Sequence, residues 1–553
     1  MFRENIDHRQ LDLFNSSTFM DPRIQENLKG SWAALFYELV FTQIDEKKFA
    51  PLYCSDNGRP NFPVNILLSL EFIKHMKNYT DEELIEQFRF NYLTMYAVGI
   101  RNLGEIYFAP RTFYEFRERI YKYTKAHPEE EDLIFKEFKE LTDSFLKVSG
   151  LKTEEQRSDS TQIIPNIKKG GRLSLAFDML ISAVKAIGED SLPDFIRPVL
   201  EPDFRTQILF RSKGNEAKSR LESLLNLSSE FIKHLESKLN GEKIHKIEIL
   251  KRFLSEQTTI DEITNCLKMK ENKDISASSL QSAYDDDITY RKKGDKGNSG
   301  YVLNLSETCS KENPVQFITD FTLEKNIVTD IDMLLERLPI IVERTKLEDL
   351  YIDGGYYSEK VEELARELGV TLHYTNMTGK KVKGARLPFA SFEIENYQTV
   401  ISCPAGQRPV SSHFNKKNNL IFAEFDREKC SKCPFNTTCR VEIRKKKSLL
   451  RIPRKALRAA EIRSKIESRE EHKESVSKRS AIEGTNSSLK RSQGAGKLRV
   501  CGLIKSTLVV GMKIIGHNFK RITDFFRRTK KTLSDITIPL IEQGIGLCIC
   551  ECK

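Results

Sequence analysis

Three acidic residues, far apart in the chain, stand in surroundings that could bring them into one reactive site. Asp159 lies in Ser158-Asp-Ser-Thr-Gln162, Asp353 precedes Gly354-Gly355 after a predicted strand, and Glu483 lies in a predicted helix. Carboxylates are the hard oxygen ligands that Mg²⁺ prefers, and two such ions can stabilise the entering and leaving oxygens of a phosphodiester under attack. Taken singly, the two aspartates are more readily explained as capping or turn residues.

The helix predicted over 453–491 carries the glutamate together with two cations. Arg479, Glu483 and Lys490 are spaced by four and then seven residues, so they share one face of the helix with Asn486. Pairing between exposed neighbours four residues apart would explain this stripe without any chemistry. This stripe indicates a reactive site only when it is considered together with Asp159 and Asp353.

Four cysteines form a second candidate set. Cys403, Cys430, Cys433 and Cys439 are spaced as C-x26-C-x2-C-x5-C, and the short C-x2-C spacing lets two thiolates reach one tetrahedral zinc ion. The alternative is a group of free or partly buried thiols in a small β-rich insertion. The spacing leaves both interpretations open.

The charge of the chain is distributed unevenly. The 553 residues carry a net charge of +10, but the segment from Arg440 onwards has 28 Lys/Arg against 11 Asp/Glu, a net +17, which leaves −7 for the rest. A basic segment of this kind predicts a polyanionic partner. The longest apolar stretch there, 506–516, is short and contains Lys513, and no apolar segment follows Met1, so we expect a cytoplasmic protein without a membrane span.

The N-terminal part of the chain is patterned as helices. Thr80 and Glu83 have the spacing of a capping box, and another helix is predicted to begin at Pro110. Arg111 and Arg117 on that helix would suit DNA in a helix-turn-helix arrangement. An ordinary helical bundle explains the same pattern.

Strands and helices alternate in the second half. Strands are predicted over 301–305, 315–319, 347–352 and 370–374, and a helix capped by Ser358 precedes the last of them. A right-handed β-α-β crossover would place Asp353 at the carboxyl end of a strand, where open α/β sheets bind ligands. We expect an all-α insertion over 165–285 and a cysteine-containing insertion over 377–452.

The combined pattern resembles the DDE transposases of bacterial insertion sequences. Asp159, Asp353 and Glu483 match that family's triad in order and setting, and Arg-x3-Glu-x6-Lys is part of its Y-x2-R-x3-E-x6-K signature. Likeness extends to the Pro110-Arg-Thr-Phe-Tyr-Glu-Phe-Arg117 helix and to the cysteine insertion. Two departures stand out: Val476 replaces the signature's Tyr, and Asp285-Asp-Asp-Ile288 replaces Asp-Pro-Asp-Ala.

The resemblance implies an α/β fold, with an RNase H-like mixed sheet as the catalytic core. It implies a helical DNA-binding domain over 1–130 and a catalytic domain over 150–553, interrupted by the two insertions. The implied partners are double-stranded DNA, as terminal inverted repeats and target, and a second copy of the chain in a synaptic complex. The implied location is the nucleoid of a bacterial cytoplasm.

The resemblance also implies a chemistry. Two Mg²⁺ ions, replaceable by Mn²⁺, would be held by Asp159, Asp353 and Glu483 for cleavage of the element's ends and strand transfer. Cations expected to contact DNA are Arg479, Lys490, Arg444, Lys445, Lys446, Lys447, Arg111 and Arg117. Zinc on the four cysteines would be structural.

Two other functions fit the same residues. One is a decayed or co-opted transposase that binds DNA without cutting it, and Val476 and Asp285-Asp-Asp-Ile288 leave room for it. The other is an unrelated zinc-bearing nucleic-acid protein whose carboxylates are structural.

Overall fold

The computed structural model describes the chain except for residues 10–14, 56, 169, 211–215, 237–243, 263–264, 294–295, 376–385, 446, 467–469 and 536–553. Helices occupy most of the first 149 residues. Their bounds are α1 (Pro22–Lys29), α2 (Trp32–Leu39), α3 (Val64–Lys77), α4 (Asp81–Phe90), α5 (Tyr92–Ala97), α6 (Pro110–Ala126) and α7 (Leu133–Ser149). The predicted capping box of α4 is confirmed, since the Thr80 hydroxyl accepts from the Glu83 amide at 3.1 Å and the Glu83 carboxylate accepts from the Thr80 amide at 2.7 Å.

Helices dominate the first insertion as well. After strand β1 (Glu155–Ile163) come α8 (Arg172–Ile187), α9 (Pro202–Leu209), α10 (Glu216–Glu236) and α11 (His245–Gln257). The prediction of an all-α insertion was wrong in one respect, because β2 (Thr258–Ile260) and β3 (Leu267–Met269) form an antiparallel hairpin. The Asn226 side chain bonds the Leu267 backbone, which fixes this hairpin on α10.

One mixed sheet forms the centre of the molecule. Its later strands and covering helices are β4 (Thr289–Lys293), β5 (Lys296–Thr308), β6 (Ile318–Lys325), α12 (Asp330–Arg344), β7 (Asp349–Ile352), α13 (Glu359–Glu367) and β8 (Thr371–Tyr374). The order is β4-β5-β1-β7-β8, with β6 also paired to β5. The β4, β5, β6 side is antiparallel, whereas β1, β7 and β8 run parallel.

Local signals predicted most of these boundaries. The Ser358 hydroxyl accepts from the Val361 amide at 3.1 Å and begins α13, as expected. The strand predicted over 315–319 begins only at Ile318, because Asn313 bonds both the amide and the carbonyl of Lys152 and holds the preceding residues in a turn.

The cysteine-containing insertion forms a separate small sheet region. Its elements are β9 (Glu393–Glu395), β10 (Thr399–Ser402), β11 (Ser411–Asn415), β12 (Leu420–Phe425), α14 (Arg427–Ser431), β13 (Glu442–Ile443) and β14 (Ser448–Pro453). β9 and β10 pair with each other, and the other strands follow the order β11-β12-β14-β13. A cluster around Phe392, Ile421 and Leu450 is its own hydrophobic core.

The predicted helix over 453–491 is divided. It consists of α15 (Arg454–Ile466), α16 (Glu470–Ser480) and α17 (Ile482–Arg491), and α18 (Leu503–Thr529) follows. The interruption between α16 and α17 is slight, because Ala481 keeps helical backbone angles (φ −64°, ψ −18°) and both helices contact β1. In the described part of the chain, no helix is long and apolar enough to cross a bilayer.

Helix α18 joins the N-terminal helices to the sheet. Phe519 packs edge-on against Phe36 of α2, and residues of α18 share one hydrophobic cluster with α3, α7 and β6. Gly516 makes this packing close, since a Cβ there would lie 2.9 Å from the Cα of Met76. The predicted fold class is confirmed: an α/β core with a mixed sheet, preceded by a helical region.

The N-terminus of α18 is capped by distant aspartates. Asp285, which is 2% exposed, accepts from the Tyr301 hydroxyl at 2.7 Å and from the Gly502 amide at 2.6 Å. Asp287 accepts from the Leu503 amide at 3.3 Å. Carboxylates at this end of a helix accept hydrogen bonds from its unpaired amides and interact favourably with the positive end of the helix dipole.

We therefore expect Asp285→Ala to lower the free energy of unfolding by about 1–3 kcal/mol, because it leaves buried donors without acceptors. Urea denaturation monitored by circular dichroism measures the change. Asp286→Ala is the matched control, since the Asp286 carboxylate is partly exposed and faces His245 at 3.7 Å. Equal stability of Asp285→Ala and Asp286→Ala would contradict the capping role.

Candidate active site

Strand register brings the two aspartates side by side. In the parallel pair of β1 and β7, Arg157 lies opposite Tyr351. Asp159 and Asp353 each follow two residues later, and residues two apart on a strand point to the same face. Their carboxylates therefore emerge together, from the middle of β1 and just beyond the end of β7.

Asp353 is held by its own turn. Its Oδ1 accepts from the Gly355 amide at 2.7 Å, at the start of a 3₁₀ turn over Gly354–Tyr356. A Cβ at position 355 would lie 2.8 Å from that same Oδ1. The glycine thus leaves room for the carboxylate to fold back, and Oδ2 faces the neighbouring helix.

One guanidinium lies among all three carboxylates. Nη2 of Arg479 is 3.0 Å from Asp159 Oδ1 and 3.7 Å from Asp353 Oδ2, and Nη1 is 3.3 Å from Glu483 Oε1. Asn486 completes the group by donating to Asp159 Oδ2 at 3.3 Å. The helical stripe predicted from spacing therefore faces the sheet and is more than a set of exposed pairs.

Burial of the three acids is graded. The Asp159 side chain is 14% exposed, that of Asp353 34% and that of Glu483 67%, so the group opens to solvent on the side of α17. Burial raises the pKa of Asp159, and the nearby Asp353 carboxylate adds to this effect although Arg479 opposes it. The folded chain therefore holds this proton more tightly than the unfolded chain, and stability decreases as pH rises from the ordinary aspartate pKa through the raised one.

A buried network positions the helices that carry Arg479 and Glu483. Arg157 of β1 bonds Glu307 of β5 at 2.7 Å and the Lys478 carbonyl of α16 at 2.7 Å. The other oxygen of Glu307 accepts from the Thr485 hydroxyl of α17 at 2.8 Å. Both helices are thus bonded to the two central strands within two residues of the site.

Sequence reasoning missed Arg157, Glu307 and Thr485. A signal existed for Arg157, because a charged residue two positions before Asp159 must share its strand face. Nothing in the sequence paired it with Glu307, which is 150 residues away.

The donor set has the chemistry of a divalent cation site. Carboxylate oxygens converge from separate elements, and a guanidinium already supplies positive charge among them. Among the described residues, Asp285, Asp286 and Asp287 are the only group of three or more His, Cys, Asp or Glu whose ligand atoms all lie within 4.8 Å of one another. Two of those three carboxylates cap α18, so proximity there has a structural explanation.

The cations expected to contact DNA differ in their exposure and in whether they form ion pairs. Lys490 is half-buried on α17, whereas Arg111 is exposed and pairs with Glu115 at 2.7 Å. Lys445 is exposed, Arg444 pairs with Glu442 and Lys447 with Glu424, and Lys446 lies outside the described residues.

Arg117 requires a correction. Its guanidinium pairs with Glu71, which is 1% exposed, and with Asp81 at 2.6 Å. The paired arginine in turn lowers the pKa of Glu71 to about 2, although burial opposes it. Arg117 holds α3, α4 and α6 together and is not a free cation for DNA.

The four cysteines come together in the second sheet region. Cys403, Cys430, Cys433 and Cys439 are free thiols that line one cavity of about 20 Å³. Burial raises the pKa of Cys430 and of Cys439. Thiols gathered in this way repel one another once ionised, unless a cation lies among them.

Two known families match parts of the chain. Residues 402–523 match the family described as the transposase DDE domain, and residues 23–119 match the transposase domain DUF772. The predicted resemblance to insertion-sequence DDE transposases is confirmed. No curated protein and no solved structure gave a match to the chain.

The matched regions cover different parts of the site. The DDE match includes the four cysteines, Arg479, Glu483 and α18 as far as Thr523, whereas Asp159 and Asp353 lie outside it. The second match covers the helices from α1 to the middle of α6. Both families support a transposase function, and the two aspartates are supported by geometry.

Proposed function

We propose that this protein is a DNA transposase that cleaves the ends of an insertion element and joins them to target DNA. The observation that carries the proposal is the convergence of Asp159, Asp353 and Glu483 on one guanidinium, from three elements far apart in sequence. The transposase family matches agree with it. Nucleoid DNA in a bacterial cytoplasm is the expected substrate.

The three carboxylates are the proposed ligands of two Mg²⁺ ions, for which Mn²⁺ would substitute. Asp159, the most buried of the three, would hold the ions together with Asp353 and Glu483. When bound, the ions supply the charge that stabilises the entering and leaving oxygens at phosphorus.

Arg479 has two successive roles in this proposal. Without DNA its guanidinium offsets the repulsion between Asp159 and Asp353. Once the carboxylates are otherwise neutralised, the same guanidinium can donate to a phosphate oxygen beside them, which charge-assisted hydrogen bonds favour. Arg157 and Glu307 hold α16 and α17 in place meanwhile.

We also propose which basic residues contact the DNA and which regions of the chain bind and cut it. Arg111, Arg444, Lys445 and Lys447 offer exposed basic groups, and Lys490 lies on the helix of Glu483. The helical region over 1–130 would bind terminal inverted repeats, and the region over 150–553, with insertions at 165–285 and 377–452, would cut. Two copies would hold two ends in a synaptic complex. The shared core around α18 supports coupling between the regions.

The test is cleavage of duplex DNA taken from both flanks of the reading frame. We expect nicking that requires Mg²⁺ or Mn²⁺, and a decrease of about 10³-fold, equivalent to roughly 4 kcal/mol, in Asp159→Asn, Asp353→Asn and Glu483→Gln. Glu363→Gln, an exposed carboxylate on α13, is the control and should cut normally.

Binding of this DNA without metal-dependent nicking would favour a co-opted DNA-binding protein. That alternative has one specific observation behind it: Val476, in place of the signature's tyrosine, is exposed on α16 and offers no hydroxyl. Undiminished nicking in all three carboxylate variants would show that the active site lies elsewhere.

The four cysteines are proposed to hold one structural zinc ion. They line a common cavity, two of them stand in a C-x2-C turn, and their region has its own small core. A bound ion would fix the loops that join β10, α14 and β13.

We expect metal analysis of the full-length protein, purified without chelator, to find about one zinc per chain. The double variant Cys430→Ser, Cys433→Ser should lose it and unfold at a lower temperature, whereas Cys266→Ser, at an exposed thiol, should retain it. Absence of zinc from the wild-type protein, or full zinc content in the double variant, would reject the site.

A further inference from the structure

A cavity of about 390 Å³ lies where the N-terminal helices meet the C-terminal segment. Its walls come from α3, from α6, from the loop between α17 and α18, and from α18 itself. None of the three candidate catalytic carboxylates lines it. It therefore belongs to a different site from the one described above.

The charge of this cavity is strongly positive. Its six cationic lining residues are Lys74, Arg117, Lys497, Arg499, Lys505 and Lys513, against only Glu71 and Glu118. Glu71 is already engaged by Arg117 and His75, and Glu118 lies 3.7 Å from Lys505. Asp81, beside the cavity, pairs with Lys74 and Arg117, so the uncompensated positive charge lies on the other three cations.

Three of the cations have no carboxylate within ion-pair distance among the described residues: Lys497, Arg499 and Lys513. Arg499 instead donates to the Tyr79 carbonyl at 3.1 Å, and Lys513 donates to the Gln493 carbonyl. Lys513 is only 5% exposed, and burial lowers its pKa to about 8, with Arg499 and Lys74 adding to the effect. A buried ammonium repelled by its neighbours is unfavourable unless an anion joins it.

Aromatic side chains share the cavity with these cations. Tyr79, Tyr114 and Tyr121 line it, Tyr114 is 47% exposed, and the Lys505 ammonium lies 4.3 Å from the Tyr121 ring centre. Cationic grooves with aromatic platforms bind nucleic-acid strands, because the cations hold phosphates and the rings stack on bases. The volume lies within the range of small-ligand pockets.

We propose that this cavity binds one nucleotide unit, a phosphate ester with its base, with the phosphate at Lys513 and Arg499 and the base against the tyrosines. The unit could belong to an unpaired DNA strand or to a free nucleotide, since both present the same groups. Bound DNA would bridge the helices of the N-terminal region to α18. This binding needs no divalent metal and does not depend on the carboxylate site.

Full-length protein in EDTA provides the test, with two probes. The first is a fluorescein-labelled duplex with a single-stranded overhang, followed by anisotropy, and the second is deoxyadenosine 5′-monophosphate, followed by the shift in unfolding temperature. The variants are Lys513→Met and Arg499→Gln. Lys125→Gln, at an exposed position near the end of α6, is the matched control.

Each cavity variant should weaken overhang binding by about 10-fold or more, as expected for the loss of a charge-assisted hydrogen bond, whereas Lys125→Gln should change it little. Lys513→Met should unfold at the same temperature as the wild type or a higher one, because it removes a buried charge. Because EDTA removes the divalent ions that cleavage needs, this result is independent of any failure of cleavage.

The two probes distinguish the source of the nucleotide. Weakened overhang binding in the variants identifies an unpaired DNA strand. Unchanged overhang binding with loss of the stabilisation by the monophosphate identifies a free nucleotide. If both cavity variants behave like Lys125→Gln with both probes, or if Lys513→Met is less stable than the wild type and binds normally, the proposal is overturned.

Discussion

Three carboxylates gathered beside the central strands of one sheet repel one another unless a cation lies among them, and much of this structure depends on that constraint. Here the cation is the Arg479 guanidinium, whose Nη2 lies 3.0 Å from Asp159 Oδ1 and whose Nη1 lies 3.3 Å from Glu483 Oε1. Even so, burial and Asp353 keep the pKa of Asp159 raised. A buried carboxylate held beside a second one is unfavourable for folding, and such arrangements are typical of sites with the chemistry proposed here.

The rest of the fold holds the three carboxylates and Arg479 in their relative positions. Parallel pairing of β1 with β7 sets the two aspartates side by side, and the buried Arg157–Glu307–Thr485 network fixes α16 and α17 against the central strands. Both partners of Glu307 lie two residues from a member of the site. Helix α18, capped by Asp285 and packed on α3, then ties this core to the helical region. Residues far apart in sequence are therefore positioned by a few buried polar contacts.

The sequence correctly predicted features that depend on neighbouring residues. The predictions failed where the interacting residue is distant in the chain. The caps at Thr80 and Ser358 and the strand before Asp353 were confirmed, because each depends on residues within a few positions. The β2–β3 hairpin in the first insertion was missed, because strands of three residues are too short to show a period of two. Arg117 was predicted to bind DNA because its charge is visible in the sequence, whereas its partners Glu71 and Asp81 are not. The triad itself was found through resemblance and through the spacing from Arg479 to Lys490.

The most direct test of this account is the free energy of unfolding of Asp159→Asn beside the wild type at neutral pH, in EDTA and in Mg²⁺. If Asp159 is an ion ligand held in an unfavourable charge state, the variant is at least as stable as the wild type in EDTA. Mg²⁺ then stabilises the wild type, by about 2.7 kcal/mol at a hundredfold excess over the dissociation constant, and does not stabilise the variant. A clear loss of stability in EDTA, or equal stabilisation of both proteins by Mg²⁺, would instead make Asp159 a structural partner of Arg479 and contradict the account.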